Sequence, residues 1–147
     1  MRKLRKLRDL SWDEQAVLCR AAVLLLAAAI GLRLFPFGAL AKWVQQSRSP
    51  SSATSFPSPE RMAWLVAAAA RNSWLRPTCL RQSLVLCALL RARGLAARLA
   101  IGTTSPREEF QAHAWVVLDG KILGSQDATG YRELVSFERL RARAEIA

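Results

Sequence analysis

The single histidine of this chain and one of its three cysteines have the residue types and the setting for covalent chemistry. Cys79 follows Thr78 at the predicted start of a helix, and His113 lies in a later stretch whose pattern predicts a β-strand. The first turn of a helix stabilises a thiolate, and a neighbouring imidazole can carry its proton. The two residues therefore predict a cysteine nucleophile at Cys79 with His113 as its base.

The predicted helix start offers a second catalytic component. Backbone N–H groups in a first turn lack partners within the helix, so the amide of Cys79 can donate to a tetrahedral oxyanion. The other cysteines, Cys19 and Cys87, lie inside predicted helices and are expected to pack as small apolar side chains. One histidine without a closely spaced cysteine pair predicts no metal site, and the sequence indicates no cofactor.

A third group should orient the imidazole and stabilise its charged form. The candidates that follow the histidine strand are Asp119, Gln126 and Asp127. Asp119 and Gly120 form a two-residue hairpin signal, and this turn accounts for the aspartate. The orienting group is therefore expected on the returning strand, at Asp127 or Gln126.

The register of that hairpin separates these two candidates. Counting back from the turn places Gln126 opposite His113, whereas one extra residue in the returning strand places Asp127 there. A carboxylate stabilises an imidazolium better than an amide does. We therefore expect a bulge or strand end near Gly124 and Ser125, with Asp127 hydrogen-bonded to His113 and Gln126 as the alternative.

Helices dominate the first part of the chain and strands follow the cysteine. Ser11 and Glu14 form a capping box, and Gly94 is expected to end the helix that begins at Cys79. The predicted helices span residues 12–34, 38–46, 60–72, 79–93 and 137–143, and the predicted strands span residues 98–102, 111–118 and 121–123. A cysteine helix packed on a small antiparallel sheet predicts α+β architecture.

Three regions follow from composition along the chain. Residues 1–46 are a helical region, residues 47–59 are a serine- and proline-rich linker, and residues 60–147 hold the core with the candidate site. The apolar run of the first helix lies between Arg20 and Arg33 and is shorter than the ~20 residues of a spanning helix. It predicts a buried or partner-facing helix, with membrane contact, but not spanning, as the alternative.

The composition narrows the class of protein. With 52% hydrophobic residues the chain can bury a core, and 22 basic against 11 acidic residues give a net charge of +11. This charge favours anionic partners, but no alternation of basic and aromatic residues indicates nucleic-acid binding. An odd number of widely spaced cysteines and no signal peptide predict a reducing, cytoplasmic setting.

Segments 79–84, 89–102 and 112–116 together resemble the transglutaminase-like leader peptidases of lasso-peptide biosynthesis. The resemblance implies a papain-like α+β core and a cytoplasmic cysteine protease with Cys79, His113 and Asp127 at its site. It further implies that the protein removes the leader from a ribosomally made precursor, that a separate recognition protein presents that leader, and that a cyclase then closes the ring. The first 78 residues show helices and a linker rather than a recognition domain, as in the stand-alone type.

Two alternatives use the same core differently. A transglutaminase-like acyl transferase would share the acyl-enzyme step and pass the acyl group to an amine. A non-catalytic module would keep the fold and only hold a peptide, although the intact Cys79, His113 and Asp127 argue against it.

Overall fold

The computed structural model describes residues 10–46, 57–73, 78–104, 112–124 and 132–136. Within these ranges four helices come first, and an antiparallel sheet follows. The helices are α1 Trp12–Leu34, α2 Phe37–Gln46, α3 Pro59–Arg71 and α4 Cys79–Arg91. The strands are β1 Arg98–Thr103, β2 Ala112–Leu118, β3 Lys121–Leu123 and β4 Arg132–Ser136. This mixed α+β arrangement agrees with the predicted class.

The first helix begins at the predicted capping box. The backbone N–H of Glu14 donates to Ser11 Oγ at 3.3 Å, and the N–H of Ser11 donates to Glu14 Oε2 at 3.0 Å. Glu14 also accepts from Arg61 Nε of α3 at 2.6 Å, and the Arg61 guanidinium lies 4.3 Å from the ring centroid of Trp64. The cap therefore also ties α1 to α3.

The sheet has the order β3-β2-β1-β4, with every neighbouring pair antiparallel. The strand that carries His113 is therefore central. The sequence did not predict β4, a five-residue strand at the sheet edge whose register with β1 shifts between Ile101 and Gly102. A salt bridge of 2.8 Å between Arg98 and Glu133 also joins β1 to β4.

One buried cluster joins all four helices to one face of the sheet. Its members include Leu25 of α1, Val44 of α2, Leu65 of α3, Leu84 of α4 and Val116 of β2. A second, smaller cluster consists of Ala100, Trp115 and Val117. Since side chains alternate along a strand, β2 contributes to both faces of the sheet.

Several predicted features lie outside the described residues: most of the linker, the helix predicted at 137–143, and Gln126 and Asp127. The division at residues 47–59 therefore stays a prediction. The helix that begins at Cys79 ends at Arg91, two residues before the predicted end, and Gly94 follows with φ +78°.

Helix α1 is long and apolar enough to cross a membrane by length and composition alone. Within the most apolar stretch of 18 residues in α1, 28% is buried inside the protein. The buried positions recur every fourth residue, at Val17, Ala21, Leu25 and Ala29. One side of the helix therefore packs on the core, as the prediction of a buried helix requires, and other sides do not.

Candidate active site

Cys79 is the first residue of α4 and is half-buried. Thr78 occupies the N-cap position with extended backbone angles, as predicted, but its side chain makes no capping hydrogen bond. The Thr78 hydroxyl therefore does not occupy the backbone N–H groups of the first turn, which can donate to other acceptors. Such amides can stabilise a negative charge at the helix start.

Ser83, one turn after Cys79, connects this helix to the histidine strand. Its buried hydroxyl donates a hydrogen bond of 2.9 Å to the carbonyl oxygen of Ala114, the residue after His113. Carbonyl groups of a strand lie near the plane of the sheet. The bond therefore brings the first turns of α4 to an edge of β2.

Two further contacts show the direction of α4 relative to the sheet. Gly124, just after β3, lies close to Leu86 of α4: a Cβ atom added to this glycine would be 3.0 Å from Leu86 Cδ2. Cys87 Sγ lies 3.6 Å from the carbonyl oxygen of Ala97, just before β1. Continuing the strand registers puts Gly124 at the level of residue 115 and Ala97 at the level of residue 118, both further along β2 than Ala114. Helix α4 therefore advances along β2 in the direction of the strand.

This direction places Cys79 level with the start of β2. Four helical residues separate Cys79 from Ser83, a rise of about 6 Å. Two strand residues before Ala114 span a similar distance, about 6.6 Å. The start of α4 therefore lies toward the end of the sheet where β2 begins, and a contact between the Cys79 thiol and the His113 imidazole stays a prediction.

The imidazole lies on the face of β2 opposite to the main core. His113 stacks on Trp115, with ring centroids 6.2 Å apart and an interplanar angle of 24°. Val116 and Leu118, on the alternate positions, join the cluster that includes α4. Helix α4 packs against the other face of the sheet, and the hydrogen bond from Ser83 reaches β2 at its edge.

The neighbour of the histidine across the sheet is a glycine. Gly102 of β1 pairs with His113, and Glu133 of β4 pairs with Gly102. Directly paired strand residues normally bring their side chains close together. Because Gly102 has no side chain, β1 places only backbone beside the imidazole at this pair, and Gly102 itself is buried.

The hairpin after the histidine strand has the predicted turn. Asp119 and Gly120 both have positive φ, 50° and 77°, and Leu118 pairs with Lys121. β3 ends at Leu123, and Gly124 comes next with φ +78°, where a strand end was expected.

The identity of the orienting group depends on the path of the chain after that strand end. Within the described part of the chain, the β2–β3 ladder does not extend past the pair Val116 and Leu123. The register beyond Gly124, which would separate Gln126 from Asp127, lies outside the described residues. Asp127 and Gln126 both lie outside the described residues, so the preference for Asp127 stays a prediction.

The other two cysteines differ from each other. Cys87 is fully buried, and burial raises the pKa of its thiol to about 11, against a smaller lowering by Arg91. It packs as a small apolar side chain, as predicted. Cys19 was expected to do the same, but it is exposed on the surface of α1 because the buried face of that helix falls on other positions.

Sequence reasoning missed two features of the site, Ser83 and Gly102. Ser83 is a polar residue in an apolar run, four positions after the nucleophile, which is the spacing of neighbours on one helix face. Gly102 lies within a strand, where glycine often marks a bulge or a close approach. In the described ranges, no three His, Cys, Asp or Glu side chains are grouped so as to hold a metal ion.

A family model described as the transglutaminase-like superfamily matches residues 22–136, which make up most of the chain. The chain belongs to the transglutaminase-like superfamily. The match includes both Cys79 and His113, and this superfamily contains cysteine peptidases and acyltransferases. No curated protein and no solved structure has a significant match to the chain.

Proposed function

We propose that this member of the transglutaminase-like superfamily is a cytoplasmic cysteine peptidase that removes the leader from a lasso-peptide precursor. The observation that supports it most directly is the hydrogen bond from Ser83, one turn after Cys79 at the start of α4, to the carbonyl oxygen of Ala114, the residue after His113. A thiol and an imidazole so placed can act as a nucleophile and its base. The resemblance of segments 79–84, 89–102 and 112–116 to leader peptidases of this class supports the substrate.

In the first half of the reaction, the thiolate of Cys79 forms a bond to the carbonyl carbon of the scissile peptide. The carbonyl electron pair moves to oxygen, and first-turn amides of α4 donate to the resulting oxyanion. When the carbonyl re-forms, the C–N bond breaks and the imidazolium of His113 gives its proton to the leaving amine. The leader remains on Cys79 as a thioester.

In the second half, His113 takes a proton from water as the oxygen attacks the thioester. The C–S bond then breaks, the leader leaves with a carboxylate end, and the thiolate and imidazolium are restored. Asp127 would orient the imidazole and stabilise its positive charge through both halves. The stacked Trp115 supports the imidazole ring on its face of the sheet.

The alternative activity differs only in the acceptor. If a primary amine reaches the thioester before water, the product is a new amide and the protein is an acyl transferase. Both activities occur in the superfamily, and both need Cys79.

The proposal includes partners. A separate recognition protein would present the leader, and a cyclase would consume the freed core peptide. Binding between this basic chain and an acidic partner or leader should strengthen at low salt, because salt screens the attraction between opposite charges.

Mass spectrometry of a candidate precursor incubated with the protein tests the proposal. We expect cleavage at one peptide bond, faster with a leader-binding partner, and none with Cys79→Ala. The matched control is Cys87→Ala in α4, provided that its melting temperature shows it folded. A labelled primary amine in the mixture separates the two activities, since only a transferase incorporates it. Binding of the precursor without any turnover would contradict both enzymatic activities and favour the peptide-binding module.

A further inference from the structure

Helix α1 carries apolar side chains on every side, but the core covers only one side of it. The buried positions recur every four residues along one face. An exposed line of apolar side chains, the α1 stripe, runs along the opposite face: Trp12, Val23, Leu26, Ile30 and Leu34. A helix that is apolar all round is normally enclosed by protein or by lipid. The α1 stripe is therefore a surface suited to contact with another protein or with lipid.

Basic side chains border the α1 stripe on both flanks. At 3.6 residues per turn, Trp12 and Ile30 fall on one line along the helix, with Arg20 roughly 80° to one side and Arg33 roughly 60° to the other. Both arginines are exposed. Long basic side chains in this position can extend to lipid headgroups while the stripe contacts acyl chains.

The sequence just before α1 adds to this charge. Five of the first eight residues are basic, Arg2, Lys3, Arg5, Lys6 and Arg8, and the whole chain carries +11. A basic segment beside an exposed apolar helix face is typical of proteins that bind anionic membrane surfaces.

The apolar surface continues beyond α1 into a groove of about 480 Å³ between α1, α2 and α4. Phe35, which follows Leu34 at the C-terminal end of the stripe, and Trp43 of α2 are both exposed and lie on the wall of this groove. Helix α4 contributes Ala88 to the wall, and this residue lies on roughly the opposite side of the helix from Cys79. A surface docked here would therefore leave the candidate active site open.

We propose that the α1 stripe docks on the surface of an anionic lipid bilayer. Lying on the bilayer keeps Val17, Ala21 and Leu25 in the core, whereas crossing it would remove them. A second copy of the chain fits the stripe less well, because it would bring like-charged arginines and basic termini together. An anionic lipid provides acyl chains that contact the α1 stripe and negatively charged headgroups that attract the arginines on its flanks.

Vesicle flotation of the full-length protein tests this inference. We expect binding to vesicles of phosphatidylglycerol and phosphatidylcholine, and weak binding to vesicles of phosphatidylcholine alone. Most of the binding should be lost when the salt concentration is raised from about 0.1 M to about 1 M, because the Debye length shortens to about 3 Å. The double variant Leu26→Glu, Ile30→Glu should bind at least tenfold more weakly. Ile122→Glu is the matched control, since Ile122 on β3 is 47% exposed against 51% for Ile30.

Cys19, which is exposed and falls about 20° from the line of Trp12 and Ile30, provides a reporter beside the α1 stripe. In a Cys79→Ala background with Cys87 buried, a membrane-impermeant maleimide should label Cys19 in the folded protein, and anionic vesicles should slow that labelling. Three outcomes would overturn the proposal: no binding to anionic vesicles, equal binding by the double variant and by Ile122→Glu, or a dimer in solution that the double variant abolishes. Each readout is independent of peptidase activity, so it can fail while the proposed function stands.

Discussion

The hydroxyl of Ser83 donates a 2.9 Å hydrogen bond to the main-chain carbonyl of Ala114, and this bond joins the nucleophile helix to the histidine strand. Ser83 lies one turn after Cys79, and Ala114 follows His113. Both partners are buried, so the bond is shielded from competing water. The relative position of the thiol and the imidazole therefore depends on a residue that takes no part in the chemistry.

Ser83→Ala should reduce kcat about tenfold or more, with little change in KM, because a small displacement of paired catalytic groups is costly. The free energy of unfolding should fall by about 1–3 kcal/mol, since a buried carbonyl loses its donor. Ser83→Thr, which keeps a hydroxyl, should restore most of kcat. Steady-state kinetics with melting temperatures measures both effects.

The control for that experiment is Ser58→Ala. Ser58 caps α3 by accepting from the N–H of Arg61 at 3.2 Å, so its loss should cost about 1 kcal/mol of stability. It should leave kcat unchanged. If Ser58→Ala and Ser83→Ala lower kcat equally, the effect is general destabilisation and Ser83 does not position the site.

Asp127→Asn should slow cleavage by at least about a hundredfold, because an amide cannot stabilise the imidazolium of His113 as a carboxylate does. Gln126→Ala should have a much smaller effect. The measurement is kcat/KM for both variants on the same precursor. A larger loss with Gln126→Ala would exchange the two assignments.

The thiol of Cys87 should resist alkylation in the folded protein, because burial raises its pKa to about 11. Cys79 and Cys19 should react, and mass spectrometry after trypsin digestion distinguishes the three.

The raised pKa of the Cys87 thiol also predicts how the free energy of unfolding depends on pH. Below the ordinary value of 9.0 both states keep the proton, and as pH rises toward 11 the unfolded state ionises first, so stability falls. Cys87→Ala should remove this part of the alkaline loss.

Glu14 should contribute to stability at neutral pH and lose that contribution in acid. The hydrogen bond from Arg61, followed by that from the backbone of Ser11, lowers the pKa of this carboxyl below its ordinary value of 4.5. The contribution is therefore complete above 4.5 and disappears as pH falls through the lowered pKa. Thermal unfolding of Glu14→Gln against the natural protein should show a difference at pH 7 that closes in acid. A difference that persists unchanged at low pH would contradict this assignment.

Local sequence signals predicted the elements that depend on local interactions. The capping box of Ser11 and Glu14 placed the start of α1, and the Asp119–Gly120 turn placed the β2–β3 hairpin, because both need only neighbouring residues. The position of Cys79 at the start of α4 followed from the same kind of signal.

Features that depend on distant parts of the chain were not predicted. β4 is short and pairs with β1 from far along the sequence, so no turn or alternating pattern indicated it. The contact between Ser83 and Ala114 likewise exists only after α4 packs beside β2. Cys19 was placed wrongly because an all-apolar helix gives no signal of which face is buried.

Intact-protein mass spectrometry of the enzyme during turnover tests the central claim most directly. With a leader-bearing precursor, we predict a covalent adduct with the mass of the leader acyl group, located on Cys79 by peptide mapping and absent from Cys79→Ala. His113→Ala should form this adduct far more slowly. Cleavage of the precursor by a folded Cys79→Ala protein, or an adduct on Cys19 or Cys87 instead, would contradict the assignment of Cys79 as the nucleophile.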